Sequence, residues 1–296
     1  MDFKNYLKNR CALVEKALDK MMPPKEEYPS LINQSMRYSV FAGGKRVRPI
    51  LVIMAAEALG CKAERVLPTA CAMELIHTYS LIHDDLPCMD DDDYRRGQLT
   101  NHKVFGENMA VLGGDGLLTL AFELIAKNGD VKGVKPKNVL KTVELVAEGA
   151  GTHGMVGGQV VDIISENRKI SEPVLQYIHT HKTGALIRAS ILAGAVLCDA
   201  SKKEYLALKS YGEHIGLVFQ IVDDILNVTG DAKKLGKAVG SDAARKKVTY
   251  PALYGLEQSR AEVALLCDKA RLALRPFGKK AESFLNLVDY LKERDA

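Results

Sequence analysis

The stretch Leu75-Ile76-His77-Thr78-Tyr79-Ser80-Leu81-Ile82-His83-Asp84-Asp85-Leu86-Pro87-Cys88-Met89-Asp90-Asp91-Asp92-Asp93-Tyr94-Arg95-Arg96-Gly97 passes straight from an apolar segment into a crowd of carboxylates. It closes a long apolar run, residues 67–83, whose length predicts a helix rather than a strand. Asp84 and Asp85 therefore sit on the end of a helix and not in a polar tail. Pro87 disfavours helix at Leu86, so the chain is expected to loop out there and let Asp90 return toward Asp84. Six carboxylates within ten residues repel one another unless cations hold them, and hard oxygen donors suit Mg²⁺. A solvated acidic loop is the competing reading from composition alone. Arg95 and Arg96 follow at once, with planar forks suited to phosphate oxygens.

Outward from this stretch, almost every segment reads with a helical period. Leu7, Cys11, Val14 and Leu18 recur at three- and four-residue steps, and Pro23-Pro24 ends that helix. Further helices are predicted over residues 50–59, 110–126, 139–164, 173–198, 203–227, 261–274 and 281–294. The first of these follows Pro49, suited to an initial helical position. Linkers fall at 129–136, 165–171 and 230–249, and there is no convincing strand alternation. The expectation is one all-α domain over residues 1–296.

Composition agrees. Hydrophobic residues are 47% and charged residues 26% of the 296, which argues against disorder, and the absence of Trp with only 6% aromatics favours helices over a sandwich. A net charge of +4 with no basic, aromatic-laced stripe argues against nucleic acid as a partner. The six cysteines are scattered without a C-x-x-C pair and read as reduced thiols of a cytoplasmic protein. No uninterrupted apolar run approaches the roughly 20 residues of a membrane span, so none is expected.

A second acidic pair lies in Phe219-Gln220-Ile221-Val222-Asp223-Asp224-Ile225-Leu226-Asn227. Gln220, Asp223 and Asn227 share one helix face, and the rest of the segment is apolar. A polar stripe on a surface helix is the alternative, but two adjacent carboxylates among apolar neighbours need compensation. The cationic half is Gly43-Gly44-Lys45-Arg46-Val47-Arg48-Pro49, three cations in a Gly-led turn at a helix N-terminus, where an anion is favoured. Lys182-Thr183-Gly184 and Lys237 add positive points. Two acidic jaws with basic turns describe a site for diphosphate with Mg²⁺.

The ordered set Gly43-Gly44-Lys45-Arg46-Val47-Arg48-Pro49, Asp84-Asp85-x4-Asp90, Lys182-Thr183-Gly184, Phe219-Gln220, Asp223-Asp224-x2-Asn227 and Gly236-Lys237 resembles the short-chain trans-prenyltransferases, most closely the bacterial farnesyl diphosphate synthases. The resemblance implies an isoprenoid-synthase-type helical bundle around a central apolar cavity. It implies condensation of isopentenyl diphosphate with an allylic diphosphate through ionisation, C–C bond formation and proton loss to the departing diphosphate. Asp84, Asp90 and Asp223 would bind Mg²⁺, three ions with substrate present, with Mn²⁺ as a substitute; Asp85 and Asp224 would be further ligands or hydrogen-bond partners. Arg95, Lys182, Thr183, Gln220 and Lys237 would hold the allylic diphosphate. Gly44, Lys45, Arg48, His77 and Arg96 would hold isopentenyl diphosphate, although His77 also reads as a packed helix histidine. A homodimer is implied by the same likeness. Asn227 departs from the family's usual Asp, which puts a metal contact there in doubt.

Tyr79, five residues before Asp84, lies about 7.5 Å down the helix axis, and with Ser80 it would floor the tail pocket. In the family an aromatic here goes with a fifteen-carbon product. Ordinary core packing is the alternative for Tyr79. Geranylgeranyl diphosphate synthase is the nearest other activity. A non-catalytic subunit of a heteromeric synthase draws support only from Asn227, and a terpene cyclase would not need Lys45, Arg48 and Arg96. The segment 149–159, rich in Gly, lacks a preceding strand and G-x-G-x-x-G spacing, so it is expected to serve close helix packing.

Overall fold

In the computed structural model, which describes residues 2–229 and 248–293, Asp2 opens the first helix by accepting from the backbone N–H groups of Lys4 and Asn5. This helix, α1 (Phe3–Met21), ends before Pro23 as expected. The helix α2 (Ser30–Val40) has no counterpart in the sequence reading. The reason lies in its inward face, where Asn33 and Ser35 are buried beside Met36 and Val40 and blunt the apolar period. Then come α3 (Val47–Ala58) and α4 (Leu67–Asp84). A two-residue hairpin follows, β1 (Tyr94–Arg95) antiparallel to β2 (Gln98–Leu99), with Tyr94 opposite Leu99.

The chain continues through α5 (Asn101–Phe105), α6 (Glu107–Lys127), α7 (Pro136–Ala150) and α8 (Met155–Ser165). The single helix expected over 139–164 is thus two, broken where Gly151 caps α7 and Gly154 precedes α8. The helix expected over 173–198 is α9 (Glu172–Ile178), a π-helical turn (His179–Gly184) and α10 (Ala185–Leu197). After α11 (Lys202–Thr229) the chain re-enters with α12 (Tyr250–Tyr254), α13 (Leu256–Ala273) and α14 (Glu282–Lys292). Gly236 and Lys237, the last of the ordered motifs, lie outside the described residues, as does nearly all of the linker expected at 230–249.

Two apolar clusters form the core, and α3 and α10 belong to both. From α3, Val52, Ile53 and Ala56 face one cluster with α4 and α6, while Ile50, Leu51, Met54 and Ala55 face the other with α11, α13 and α14. From α10, Leu186, Ala189 and Ala193 take the first side, and Ile187, Ile191 and Leu192 the second. Helices apolar on all faces are stable only when surrounded, so these two become the inner spine around which the amphipathic helices are laid.

One expectation is corrected. The stretch Glu107–Asp130 is long and apolar enough to cross a bilayer by length and composition, although no such run was expected. Asp115 and Glu123 interrupt the run, so an unbroken count misses it. In the fold Leu117, Ala121, Leu124 and Ile125 of this helix are buried in the first cluster, as in a core helix, while Val111 and Leu112 are exposed.

Candidate active site

At the end of α4 the chain turns as Leu86-Pro87 demands: Leu86 accepts the backbone N–H groups of Met89 and Asp91, and the N–H of Asp90 donates to the carbonyl of Asp84 at 2.8 Å. The loop therefore brings Asp90 back beside Asp84. Burial pushes the Asp84 carboxyl up to about 6, and Asp90 adds to this against the pull of Lys182. Its Oδ1 accepts from Gln159 Nε2 at 2.9 Å. Asp85 is turned inward, 3% exposed, and both its oxygens accept from Arg95 at 2.6–2.8 Å. Two residues expected in separate roles, Asp85 on metal and Arg95 on phosphate, are thus paired with each other.

From Asp84 a chain of side-chain contacts leads to the second acidic pair. Gln159 and Asp162 stand one turn apart on α8, and Asp162 accepts from Lys182 at 2.6 Å. Close packing makes this reach possible: a Cβ on Gly158 would come within 2.1 Å of the Lys182 backbone nitrogen, so the expectation of close packing for 149–159 holds. On the π-turn, the Thr183 hydroxyl donates to Gln220 Oε1 at 2.8 Å, and Gln220 Nε2 donates to Asp224 Oδ1 at 2.9 Å. Asp224, 4% exposed, also accepts the Tyr250 backbone N–H at 2.8 Å and faces His179 Nε2 at 3.3 Å. Asp223, the next residue back, is exposed. Asp84, Lys182, Thr183, Gln220 and Asp224 therefore lie along one wall built from the end of α4, α8, the π-turn and α11. Gln159, Asp162 and His179 were missed; the signal for the first two was Gln and Asp three apart inside the apolar Met155–Ser165.

A cationic pole faces the N-terminus of α3. The Arg96 guanidinium donates to the Gly43 carbonyl and lies over Gly44, where a Cβ would approach it to 2.7 Å and where φ is +136°. The backbone conformation calls for glycine at 44, while the Arg96 guanidinium that fills the place of a Cβ is the movable end of a side chain. Arg46 and Arg96 both adopt left-handed φ, 49° and 54°, an uncommon conformation for side-chain-bearing residues. Of the three cations expected in this turn, Arg46 points inward, fully buried against Glu74 and Glu15 at 2.7 Å, so it props the turn and does not face a ligand. Lys45 is exposed. Arg48 keeps a buried Nε without a hydrogen-bond partner, and burial draws its guanidinium down to about 10. Burial and the charges of Arg48 and Arg96 hold the His77 imidazole well below its usual range, so it is neutral.

Tyr79 is buried in the first cluster, 7% exposed, with its ring edge-on to His83 at 5.7 Å, and burial lifts its hydroxyl to about 12. Ser80 donates to the His77 carbonyl. A cavity of about 310 Å³ opens behind Lys45, lined by Leu7, Val47, Ile50, Met54 and Phe219 of the second cluster, away from Tyr79.

The donor set fits Mg²⁺. Asp84 and Asp90 offer hard oxygens, and a carboxyl pushed up to about 6 beside another carboxylate gains from a cation. Among the described residues no cluster of three His, Cys, Asp or Glu is gathered into a closed metal cage.

A family model described as polyprenyl synthetase matches residues 29–274. Among similar proteins, the large subunit 1 of a chloroplastic heterodimeric geranylgeranyl pyrophosphate synthase of Arabidopsis thaliana is 48% identical, covering 99% of this chain and 80% of that one. The farnesyl diphosphate synthase of Geobacillus stearothermophilus is 43% identical over 100% and 99%. Among solved structures, an FPP/GFPP synthase from Zymomonas mobilis superposes with a TM-score of 0.86 at 33% identity, covering 98% of this chain and 99% of that one.

Proposed function

Because the chain belongs to the polyprenyl synthetase family, whose substrates are isoprenyl diphosphates, we propose that it condenses isopentenyl diphosphate head-to-tail with dimethylallyl and geranyl diphosphate, releasing diphosphate and stopping mainly at farnesyl diphosphate. The observation that carries this reading is the wall of contacts joining Asp84 through Gln159, Asp162, Lys182, Thr183 and Gln220 to the second acidic pair. Lys182 and Thr183 meet the allylic diphosphate on that wall. Mg²⁺ held by Asp84, Asp90 and Asp223 supplies Lewis acidity toward the diphosphate leaving group. Lys45, Arg48 and Arg96 anchor isopentenyl diphosphate, which carries no leaving group and needs charge alone; the partnerless Nε of Arg48 supports this. Neutral His77 donates or accepts there without adding charge. The apolar faces of α4 and α6 keep water from the allylic cation.

The fifteen-carbon product rests on Tyr79, and the bacterial relative named farnesyl diphosphate synthase supports it. The second reading, geranylgeranyl diphosphate, is favoured by the 48% identical relative named for that product. Incubation with geranyl diphosphate, isopentenyl diphosphate and Mg²⁺, followed by chromatography of the dephosphorylated products, separates them: farnesol supports the first, geranylgeraniol the second, and no elongation overturns both. Tyr79→Ala should shift the product toward longer chains, and an unchanged distribution would refute the floor. The reading extends to a homodimer, supported by the exposed Val111 and Leu112 of α6, and to a cytoplasmic site of action, supported by six unbridged cysteines.

A further inference from the structure

His179 lies on the π-turn, three residues before Lys182, buried and outside every role considered so far. Its Nε2 is 3.3 Å from Asp224 Oδ2, and the Tyr250 ring stacks beside it with centroids 6.2 Å apart. Its Nδ1 is buried without a hydrogen-bond partner. A proton on Nδ1 would be an unmatched N–H in the interior, whereas a proton on Nε2 meets a carboxylate, so the Nε2–H tautomer is the one this environment selects. Asp224 then accepts hydrogen bonds from the Tyr250 backbone N–H and from Gln220, and His179 Nε2 approaches its Oδ2 at 3.3 Å.

Two consequences follow. Asp224 has little capacity left for a metal ion, so its role differs from that of the exposed Asp223. The orientation of Gln220 is also dictated from behind: its amide N must face Asp224, and its carbonyl O must therefore face the Thr183 hydroxyl. We propose that His179 is a positioning residue for the allylic diphosphate pocket, fixing Asp224, then Gln220, and through it the Thr183 hydroxyl beside Lys182. Without the His179 ring, Asp224 keeps the Tyr250 N–H and Gln220 but loses the neighbour that confines its Oδ2 side, so the Gln220 amide and the Thr183 hydroxyl it orients are held less tightly. The proposal rests on the prenyltransferase reading for the identity of the ligand.

The test compares wild type, His179→Leu and His179→Gln in two measurements: calorimetric binding of geranyl S-thiolodiphosphate, an allylic analogue that does not ionise, with Mg²⁺ in excess, and the separate KM values for geranyl and isopentenyl diphosphate. His179→Leu should weaken analogue binding and raise the allylic KM roughly tenfold, the scale of one charged hydrogen bond lost. The isopentenyl KM, set at the α3 pole, should stay within about twofold. His179→Gln returns an N–H donor and should recover most of the loss. A shift shared equally by both substrates, no shift at all, or no recovery in His179→Gln overturns the proposal. Should His179→Leu fail to fold, His179→Phe, which keeps a ring against Tyr250 but carries no N–H, takes its place and must give the same selective shift for the proposal to stand. A wild-type protein that neither binds the analogue nor elongates geranyl diphosphate overturns the functional reading itself, and with it this inference; a working wild type with unselective variants overturns this inference alone.

Discussion

At the end of α4, Asp84 is half-buried while Asp85 is sealed against Arg95; near the end of α11, Asp223 is exposed while Asp224 is sealed among His179, Gln220 and the Tyr250 N–H. Consecutive residues on a helix point about 100° apart, so adjacent carboxylates cannot serve one direction. In both pairs the first is the more exposed and the second is turned into the protein. The two anchors differ in kind. Asp85 is held by a cation, through a bidentate pair that supplies charge as well as geometry. Asp224 is held by directional hydrogen bonds from Gln220 and the Tyr250 backbone N–H, with His179 Nε2 3.3 Å away on a third element, so its orientation is fixed more tightly than its charge. The first anchor ties a loop to its helix, whereas the second ties three helical segments together.

The largest break in this comparison comes from the more exposed members. Asp84→Ala should lower kcat roughly a thousandfold or more, because the leaving group loses part of its charge stabilisation. A steady-state assay at saturating Mg²⁺ checks it, and a loss of only a few-fold would place the chemistry elsewhere. Next is the sealed member of the first pair. Arg95→Met strips the guanidinium from a buried carboxylate and should cost about 2–4 kcal/mol of folding stability, read by urea unfolding without ligand. Wild-type stability in that variant would mean the pair is an ornament of the surface.

The smallest effect has the opposite sign and sharpens the contrast most. Asp84 has its carboxyl raised from an ordinary 3.8 to about 6, so its ionised form opposes folding. Asp84→Asn should therefore stabilise the ligand-free protein by about 1–2 kcal/mol, discounted for its partial exposure. The gain should be present above pH 6, shrink as pH falls through 6 toward 4, and vanish below 4, where the native carboxyl is neutral too. Thermal melts across that range decide it; a destabilised Asp84→Asn at pH 8 would show that Gln159 and Lys182 already satisfy the charge.

Much of this was legible in residue order. The long apolar run before Asp84, the Pro87 turn and the acidic pair in an apolar helix needed no coordinates, because period and burial cost fix them. What stayed hidden depends on direction within a helix. Nothing in the run Asp84-Asp85 says which carboxylate meets Arg95, and nothing in Lys45-Arg46-Val47-Arg48 says that Arg46 turns inward to Glu74. The break between α7 and α8 was masked because both flanks keep an apolar period across Gly151 and Gly154. The helix α2 escaped because its buried Asn33 and Ser35 are satisfied outside the helix, Asn33 on the Glu27 carbonyl and Ser35 on the distant Asn101, which an apolar period does not register.

The π-turn at His179–Gly184 gains meaning from the nature of the helix it feeds. Because α10 is apolar on nearly every side, with Arg188 reaching Glu213 at 3.6 Å as its one charged residue, it has little polar marking to tell it how to sit. Something else must set its angular phase, and the wide turn just upstream, pinned by Lys182, Thr183 and His179, does so. Removing one residue there would let the segment close as an ordinary α-helix and withdraw the bulge that presents Lys182 and Thr183 to Asp162 and Gln220. The turn is therefore a gear tooth between the polar wall and the inner spine, and insertions or deletions should be worse tolerated there than in the linker that joins α8 to α9.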